Sequence, residues 1–481
     1  MRILLLTHFL GGKHLGGTEV LTLAIAQGLQ AQGHEVQVVC AEDWDTATSH
    51  KIESSTEVFQ GVPIHRLHFN WKKAPDVFRY LYDNPEVEAY ISAYLTQFNP
   101  DIVHITSCYT LSASVITAVH RHKIPCVLTA TDFWFLCARN TLLQRDDSLC
   151  HGPDDAWKCA KCNLHEAKAY RWPRWILPDN LIAPILLRVG KLPFLSRQRG
   201  MRGMHGNWDE RFAFLAQALQ KVDHIVTASQ FLRSLFVEYG IPRETIHYSA
   251  YGLDTRWATQ YGHKVPSEAL RLGFIGQILP MKGPDLLIKA FQQVQSSRPL
   301  QLTIYGDLSK WPDYGRSLKE MAAGDERIRF AGTFSNHKMG EVLSEIDVLV
   351  VPSTWYDFPL VIPSALATNT PVVTTNIPGM NELIQSEVNG LLFERYDWQG
   401  LAQQLQRLAN EASLLSQLQQ GIGPVKTVDV MVAEYESVYQ ALLKKKEKNV
   451  RLTWTNLSSG LAQILFPLMP LLLSGEIPLS I

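Results

Sequence analysis

Residues 271–305 read RLGFIGQILPMKGPDLLIKAFQQVQSSRPLQLTIY. Leu272–Ile275 is a short apolar run that predicts a buried strand. The loop after it closes on Lys282 and Gly283, and Asp285–Val294 carries apolar residues at helical spacing. Leu302–Tyr305 predicts the next strand. Strand, glycine-bearing loop, helix, strand is a βαβ unit, which places its strands in parallel with a right-handed crossover.

The same grammar extends in both directions. Downstream, Val348–Val351 and Val372–Thr374 predict strands. In the first third, Ile3–Thr7, His34–Cys40, Asp101–Ile105 and Cys126–Thr129 predict strands, with helices over Glu19–Gln32 and Leu111–His122. The expected fold is therefore α/β, with two doubly wound, Rossmann-like domains joined near Tyr251–Val265. The expected limits are 1–255 for the first domain and 256–424 for the second. A helix over 425–446, with its amphipathic part at Thr427–Leu443, and an apolar, proline-broken tail over 447–481 follow. The first domain carries a cysteine-rich segment, 137–165, and a basic, aromatic insert, 166–207.

The 481 residues are 46% apolar and 19% charged, with 45 Lys and Arg against 46 Asp and Glu. That is enough apolar content for full-sized cores. The near-zero net charge argues against a general nucleic-acid binder and against disorder. Met1–Leu10 reads as a buried first strand rather than a signal peptide, because the apolar run is short and no small-residue cleavage site follows. No run of 18 clean apolar residues predicts a membrane span. All seven cysteines lie at or before Cys162. Their odd number argues against a secreted disulfide scaffold, so a cytoplasmic protein is expected. Lys168–Arg202 holds eight bases and one acid, Asp179. It reads either as an insertion packed on the domain or as an element attracted to anionic membrane.

Two loops are candidates for phosphate chemistry, with a plain tight turn for the first and a solvated loop lysine for the second as the alternatives. Gly11–Glu19 (GGKHLGGTE) links the first strand to the first helix, where glycines admit a close approach and a helix N-terminus favours an anion. Gly273–Gly283 ends with Lys282 before a helix start, placed to neutralise a phosphate. Neither is the dinucleotide fingerprint or a Walker A loop.

In the second half, GFIGQILPMKGPDLLIKAF, LQLTIYGD, RIRFAGTF, IDVLVVPSTWYDFPLVIPSALATNTPVVTTNIPGMNELI and NGLLF occur in that order. The first half contributes GGTEVLTLAIAQGLQAQGHEVQVV, DIVHITSCY, IPCVLTATDFWFLC and HIVTASQFLRSLFVEYGIPRETIHYSAYGLD. Together they resemble the glycosyltransferases of family 4, whose two facing doubly wound domains form the GT-B arrangement with a cleft between them. The resemblance spans about Met1–Leu443. It implies a retaining transferase that moves a sugar from a UDP-, GDP- or ADP-linked donor to a saccharide or lipid-linked hydroxyl. No cofactor is implied for catalysis. The donor is expected on Gly16, Gly17, Gln277, Lys282, Gly306, Thr333, Phe358, Pro359, Leu360 and Ser364. Thr131, Asp132 and Asp357 are expected beside the reacting sugar.

Three departures from the family pattern bear on activity. The family's histidine before Asp132 is Thr131. Its two glutamates around a Phe-Pro-Leu core are represented by Asp357, with one residue fewer in the spacing, and by Ser364. An arginine common in the family is Gln277. A binding protein with lost catalysis is therefore a second expectation. A nucleotide-sugar 2-epimerase is a third, opposed by a cleft depleted of the carboxylates and histidines that proton transfer requires. Cys137, Cys150, Cys159 and Cys162 are candidates for a structural zinc site, for disulfides or for reduced thiols. Their place beside Asp132–Trp134 suggests a role in shaping the acceptor side.

Overall fold

The computed structural model describes residues 1–11, 16–42, 44–144, 146–164, 207–355 and 358–465. Nearly all of the basic insert, the end of the tail, and Asp357 lie outside them.

The first sheet has eight strands: β1 (Arg2–Thr7), β2 (Glu35–Glu42), β3 (Glu53–Phe59), β4 (Val62–His68), β5 (Ile102–Ile105), β6 (Cys126–Ala130), β7 (His224–Thr227) and β8 (Ile246–Tyr248). Their spatial order is β3-β4-β2-β1-β5-β6-β7-β8. All neighbours are parallel except the edge pair β3 and β4. The β3–β4 hairpin has no signal among the sequence expectations. β3 (ESSTEVF) is polar and exposed along most of its length, so it lacks the apolar alternation of a half-buried strand.

The second sheet is wholly parallel, in the order β11-β10-β9-β12-β13-β14. Its strands are β9 (Leu270–Ile275), β10 (Leu300–Tyr305), β11 (Ile328–Gly332), β12 (Val348–Val351), β13 (Val372–Thr375) and β14 (Gly390–Phe393). Each sheet buries an apolar cluster on both faces, as expected of strands that read as continuous apolar runs.

This strand order decides where a site can form. β1 lies between β2 and β5, and β9 lies between β10 and β12. Connections leave in opposite directions on either side of β1 and of β9. At such switch points a crevice opens beyond the strand C-termini, and ligands of open α/β sheets bind there. The two glycine-bearing loops follow β1 and β9.

The chain returns to the first domain at its end. Leu253 N–H donates to Lys426 O and Val428 N–H donates to Leu253 O, which stitches the two crossings together. The helix Val428–Leu465 then packs on the helix Gly17–Ala31. Gly28 makes that approach possible, since a Cβ there would sit 2.5 Å from Val432 Cγ2. Beneath it, His104 bonds Tyr439 Oη at 2.6 Å and Thr129 Oγ1 at 2.8 Å, and Thr129 also bonds Tyr435. The helix runs past its expected end because Lys444–Lys448 are good helix formers and continue it. Among the described residues no helix is long and apolar enough to cross a membrane.

Candidate active site

The wall formed by the second domain is built backbone against backbone. Pro280–Lys282 makes one 3-10 turn, and Gly283, at φ 68°, starts the helix Pro284–Gln293. A Cβ on Gly283 would lie 2.1 Å from Pro352 O, and one on Gly306 would lie 2.3 Å from Gly276 O. Only glycine fits either place. Thr354 N–H and Ser353 Oγ both donate to Met281 O, at 2.8 and 3.0 Å. The loops after β9, β10 and β12 are thereby held in one row. Lys282 stands in that row, half-buried, its ammonium 5.0 Å from the centroid of the Trp355 ring. Gln277 and Thr333 are exposed at the ends of β9 and β11.

The Phe358–Ser364 segment faces the first domain. The Phe358 ring meets Tyr251 edge-on, with centroids 5.1 Å apart, and Leu360 Cδ1 lies opposite Gly17. Pro359 is half-buried between them in sequence. Ser364 is buried in the short helix Val361–Ala367, and its hydroxyl donates to Leu360 O at 2.8 Å. Its proton is therefore spent inside the helix, not offered to a ribose. Phe358 and Leu360 close the domain junction with their side chains.

The first-domain wall departs further from expectation. The carboxylate of Glu19 folds back on the N-terminus of its own helix and accepts the amides of Gly16 and Glu19. His8, the residue after β1, bonds the same carboxylate, with Nε2 to Oε1 at 3.2 Å. Burial alone would raise the Glu19 carboxyl. The His8 bond and charge, together with those amides, outweigh it and hold the group below the usual range. The amide of Gly16, one of the residues expected to hold the donor, is thus already engaged by a side chain.

Thr131 is also committed. Its hydroxyl accepts from Thr18 Oγ1 at 3.0 Å and donates to Thr106 O at 2.8 Å. Asp132 accepts the Trp134 amide at 2.9 Å and the Ser107 hydroxyl at 3.3 Å. Burial pushes its carboxyl above the usual range, against the lowering pull of Trp134, His8, Ser107 and Asn140.

Cys137, Cys150, Cys159 and Cys162 share one knob that follows β6. It contains a Leu143–Leu149 bridge and the helix Ala156–Leu164. No disulfide joins any two of the seven cysteines among the described residues. Among the described residues no three His, Cys, Asp or Glu side chains come together as a metal ligand set. Burial pushes the Cys159 thiol up to about 12. Arg139 donates to Cys162 Sγ at 3.6 Å. The knob docks on the second domain through Trp355 Nε1, which donates to Thr141 O at 2.6 Å, and through Arg395, which donates to Asp147 O.

His8, Glu19 and Trp355 had no assigned role in the sequence reading. The signal for His8 was its place immediately after the first expected strand. For Glu19 it was a carboxylate three residues after the glycine that precedes the helix, from where it can reach back to the N-cap amide. Trp355 has no comparable local signal, because its partner lies 214 positions away.

Comparison with known proteins bears on both domains. The family described as Glycosyltransferase Family 4 matches residues 15–257, and that described as Glycosyl transferases group 1 matches 269–411. A D-inositol 3-phosphate glycosyltransferase from Stackebrandtia nassauensis is 32% identical over 33% of this chain and 38% of its own length. One from Geodermatophilus obscurus is 28% identical over 49% of this chain and 57% of its own. The chain thus spans less than two thirds of these relatives. Among solved structures, sucrose-phosphate synthase from Thermosynechococcus elongatus superposes with a TM-score of 0.61 at 16% identity, covering 92% of this chain and 99% of that one. Anabaena HepE in complex with UDP superposes with a TM-score of 0.58 at 14% identity, covering 94% and 100%. Those likenesses show the fold.

Proposed function

The chain belongs to glycosyltransferase family 4, and from that premise we propose that it transfers a sugar, with retention, from a nucleotide-sugar donor to a hydroxyl acceptor. The observation that carries the reading is Lys282, held at the β9 switch point in a row of closely packed glycine loops. A cation fixed there stabilises the charge that grows on a departing diphosphate. The sugar C1–O bond to the diphosphate breaks and a C1–O bond to the acceptor forms on the same face. The acceptor's hydroxyl proton passes to the departing phosphate oxygen. Lys282 and the loop amides bind and orient the leaving group, while Thr131 and Asp132 border the sugar from the first domain. The binding of UDP by a protein of the same fold supports a nucleotide diphosphate in this cleft.

The acceptor is a saccharide or a lipid-linked sugar, in the assembly of surface polysaccharide or glycolipid. The basic insert would bring the enzyme to the anionic inner face of the membrane from the cytoplasm. A second reading, a nucleotide-sugar-binding protein without turnover, is favoured by one observation. The hydroxyls of Thr131 and Ser364, where the family has acid–base side chains, are both turned inward.

The test is incubation of folded protein with UDP-, GDP- and ADP-sugars, scored by mass spectrometry for both binding and hydrolysis. Binding with turnover supports the enzyme, and binding without any turnover supports the second reading.

A further inference from the structure

The cleft has lost its imidazole at position 131, yet a different strand brings one to the same crevice. His8 follows β1, and β1 is separated from β6, which leads to Thr131 and Asp132, by β5 alone. His8 is close enough to Asp132 to pull that carboxyl's affinity for a proton down. Its ring is flanked edge-on by Phe9 and Tyr109, with centroids 5.1 and 6.1 Å away. Its Nε2 is held by Glu19 at 3.2 Å. Glu19 is itself fixed by the helix amides, so the ring is anchored from a rigid element rather than from a loop. Among the described residues its Nδ1 is sheltered and has no hydrogen-bond partner. A sheltered ring nitrogen without a partner is costly, and a bound ligand is one way the missing partner is supplied.

We propose that His8, positioned by Glu19, makes the first domain's hydrogen bond to a hydroxyl of the transferred sugar, in place of the histidine absent at 131. The proposal rests on the glycosyltransferase reading above. It explains how a cleft with Thr131 can keep turnover. The hydroxyl of Thr131 is bonded to Thr18 and Thr106 and supports the wall, while His8 carries the contact to substrate. Glu19 is a positioning residue, acting through His8. No proton is gained or lost by either group in the step. The bond broken is C1–O to the diphosphate and the bond formed is C1–O to the acceptor, as above.

The test separates the diphosphate contact from the sugar contact. Affinities for UDP, GDP and ADP and for the matching glucose conjugates are measured by calorimetry on wild type, His8→Gln and His8→Ala. The expected result is an unchanged affinity for the nucleoside diphosphate. The extra affinity of the sugar conjugate is lost, and kcat falls by about tenfold to a hundredfold, as for one hydrogen bond made in the transition state. Glu19→Gln should cause a smaller fall, and the double variant should be no worse than His8→Gln alone. Unchanged sugar affinity and unchanged kcat in both His8 variants would overturn the proposal. An equal loss for the bare diphosphate and the conjugate would overturn it too, because it would mark a structural role. If no conjugate binds wild type, the nucleotide-sugar reading itself fails and takes the proposal with it. If conjugates bind without turnover, enzyme activity fails while the binding increment still judges His8.

Discussion

Trp355 donates its indole N–H to Thr141 O at 2.6 Å while its ring lies beneath the Lys282 ammonium. One side chain of the second domain thus links Lys282 to the cysteine knob of the first. Trp355→Phe keeps an aromatic face for Lys282 and removes the N–H. The expected outcome is a loss of about 1 kcal/mol, or about 2–4 °C in Tm. Nucleotide affinity should stay within about threefold. A calorimetric scan and a UDP titration check this, and unchanged Tm would show that the indole bond does not hold the knob.

Lys282→Ala is expected to weaken binding of the tightest nucleoside diphosphate by about tenfold or more, the loss of one charge-assisted contact of roughly 1.5–3 kcal/mol. The affinity of wild type should fall as salt rises, and that of the variant should fall less steeply. Equal affinity in the two proteins would remove Lys282 from the phosphate site.

Gly283→Ala puts a methyl group 2.1 Å from Pro352 O at a φ of 68°. The loop after β9 must then move away from the loop after β12. The variant should lose about 1–3 kcal/mol of stability and most of its nucleotide affinity together. Chemical denaturation paired with a binding assay distinguishes this from Lys282→Ala, which should leave stability nearly unchanged.

His104 gives the fold an acid limit. Burial lowers its pKa to about 3, whereas the unfolded chain takes up that proton near 6.5. Between those values the unfolded state binds more protons, so stability is full above about pH 6.5 and declines as pH drops toward about 3, by up to about 1.4 kcal/mol per unit. His224, lowered to about 4, adds to the same limb. His104→Gln should therefore make the acid limb shallower without abolishing it. Denaturant midpoints measured from pH 4 to 8 would show this, and an unaltered slope would contradict it.

The knob's sulfurs are not gathered as a ligand set among the described residues. Elemental analysis of protein purified without chelators decides between the readings of the knob: well under one zinc per chain leaves reduced thiols. All seven cysteines should react as thiols once it is unfolded. One zinc per chain, lost on Cys159→Ser, would show instead that the helix Ala156–Leu164 closes on Cys137 and Cys150.

Much of this architecture was legible because it is repetitive. Leu272–Ile275, Gly283 and Asp285–Val294 announce a βαβ unit through local period and punctuation, and the observed strand and helix differ by only one or two residues at their ends. Lys282 was singled out for the same reason, as the one cation in the Gly273–Gly283 loop at a strand-to-helix turn. The commitments of individual polar atoms were not. That Ser364 bonds Leu360, that Glu19 caps its own helix, and that Thr131 is shared by Thr18 and Thr106 are outcomes of packing that composition does not encode. The link from Trp355 to Thr141 joins two domains and leaves no local pattern in either.

The central claim is sugar transfer with retention from a nucleotide sugar, with Lys282 stabilising the leaving diphosphate. The measurement that tests it most directly is proton NMR of the reaction of wild type with the donor it binds tightest and a saccharide acceptor, followed from the first turnovers. An initial product whose anomeric coupling matches that of the donor, formed at a rate that Lys282→Ala lowers, is the predicted result. An inverted anomer, or no transfer and no hydrolysis by folded protein saturated with donor, would contradict it.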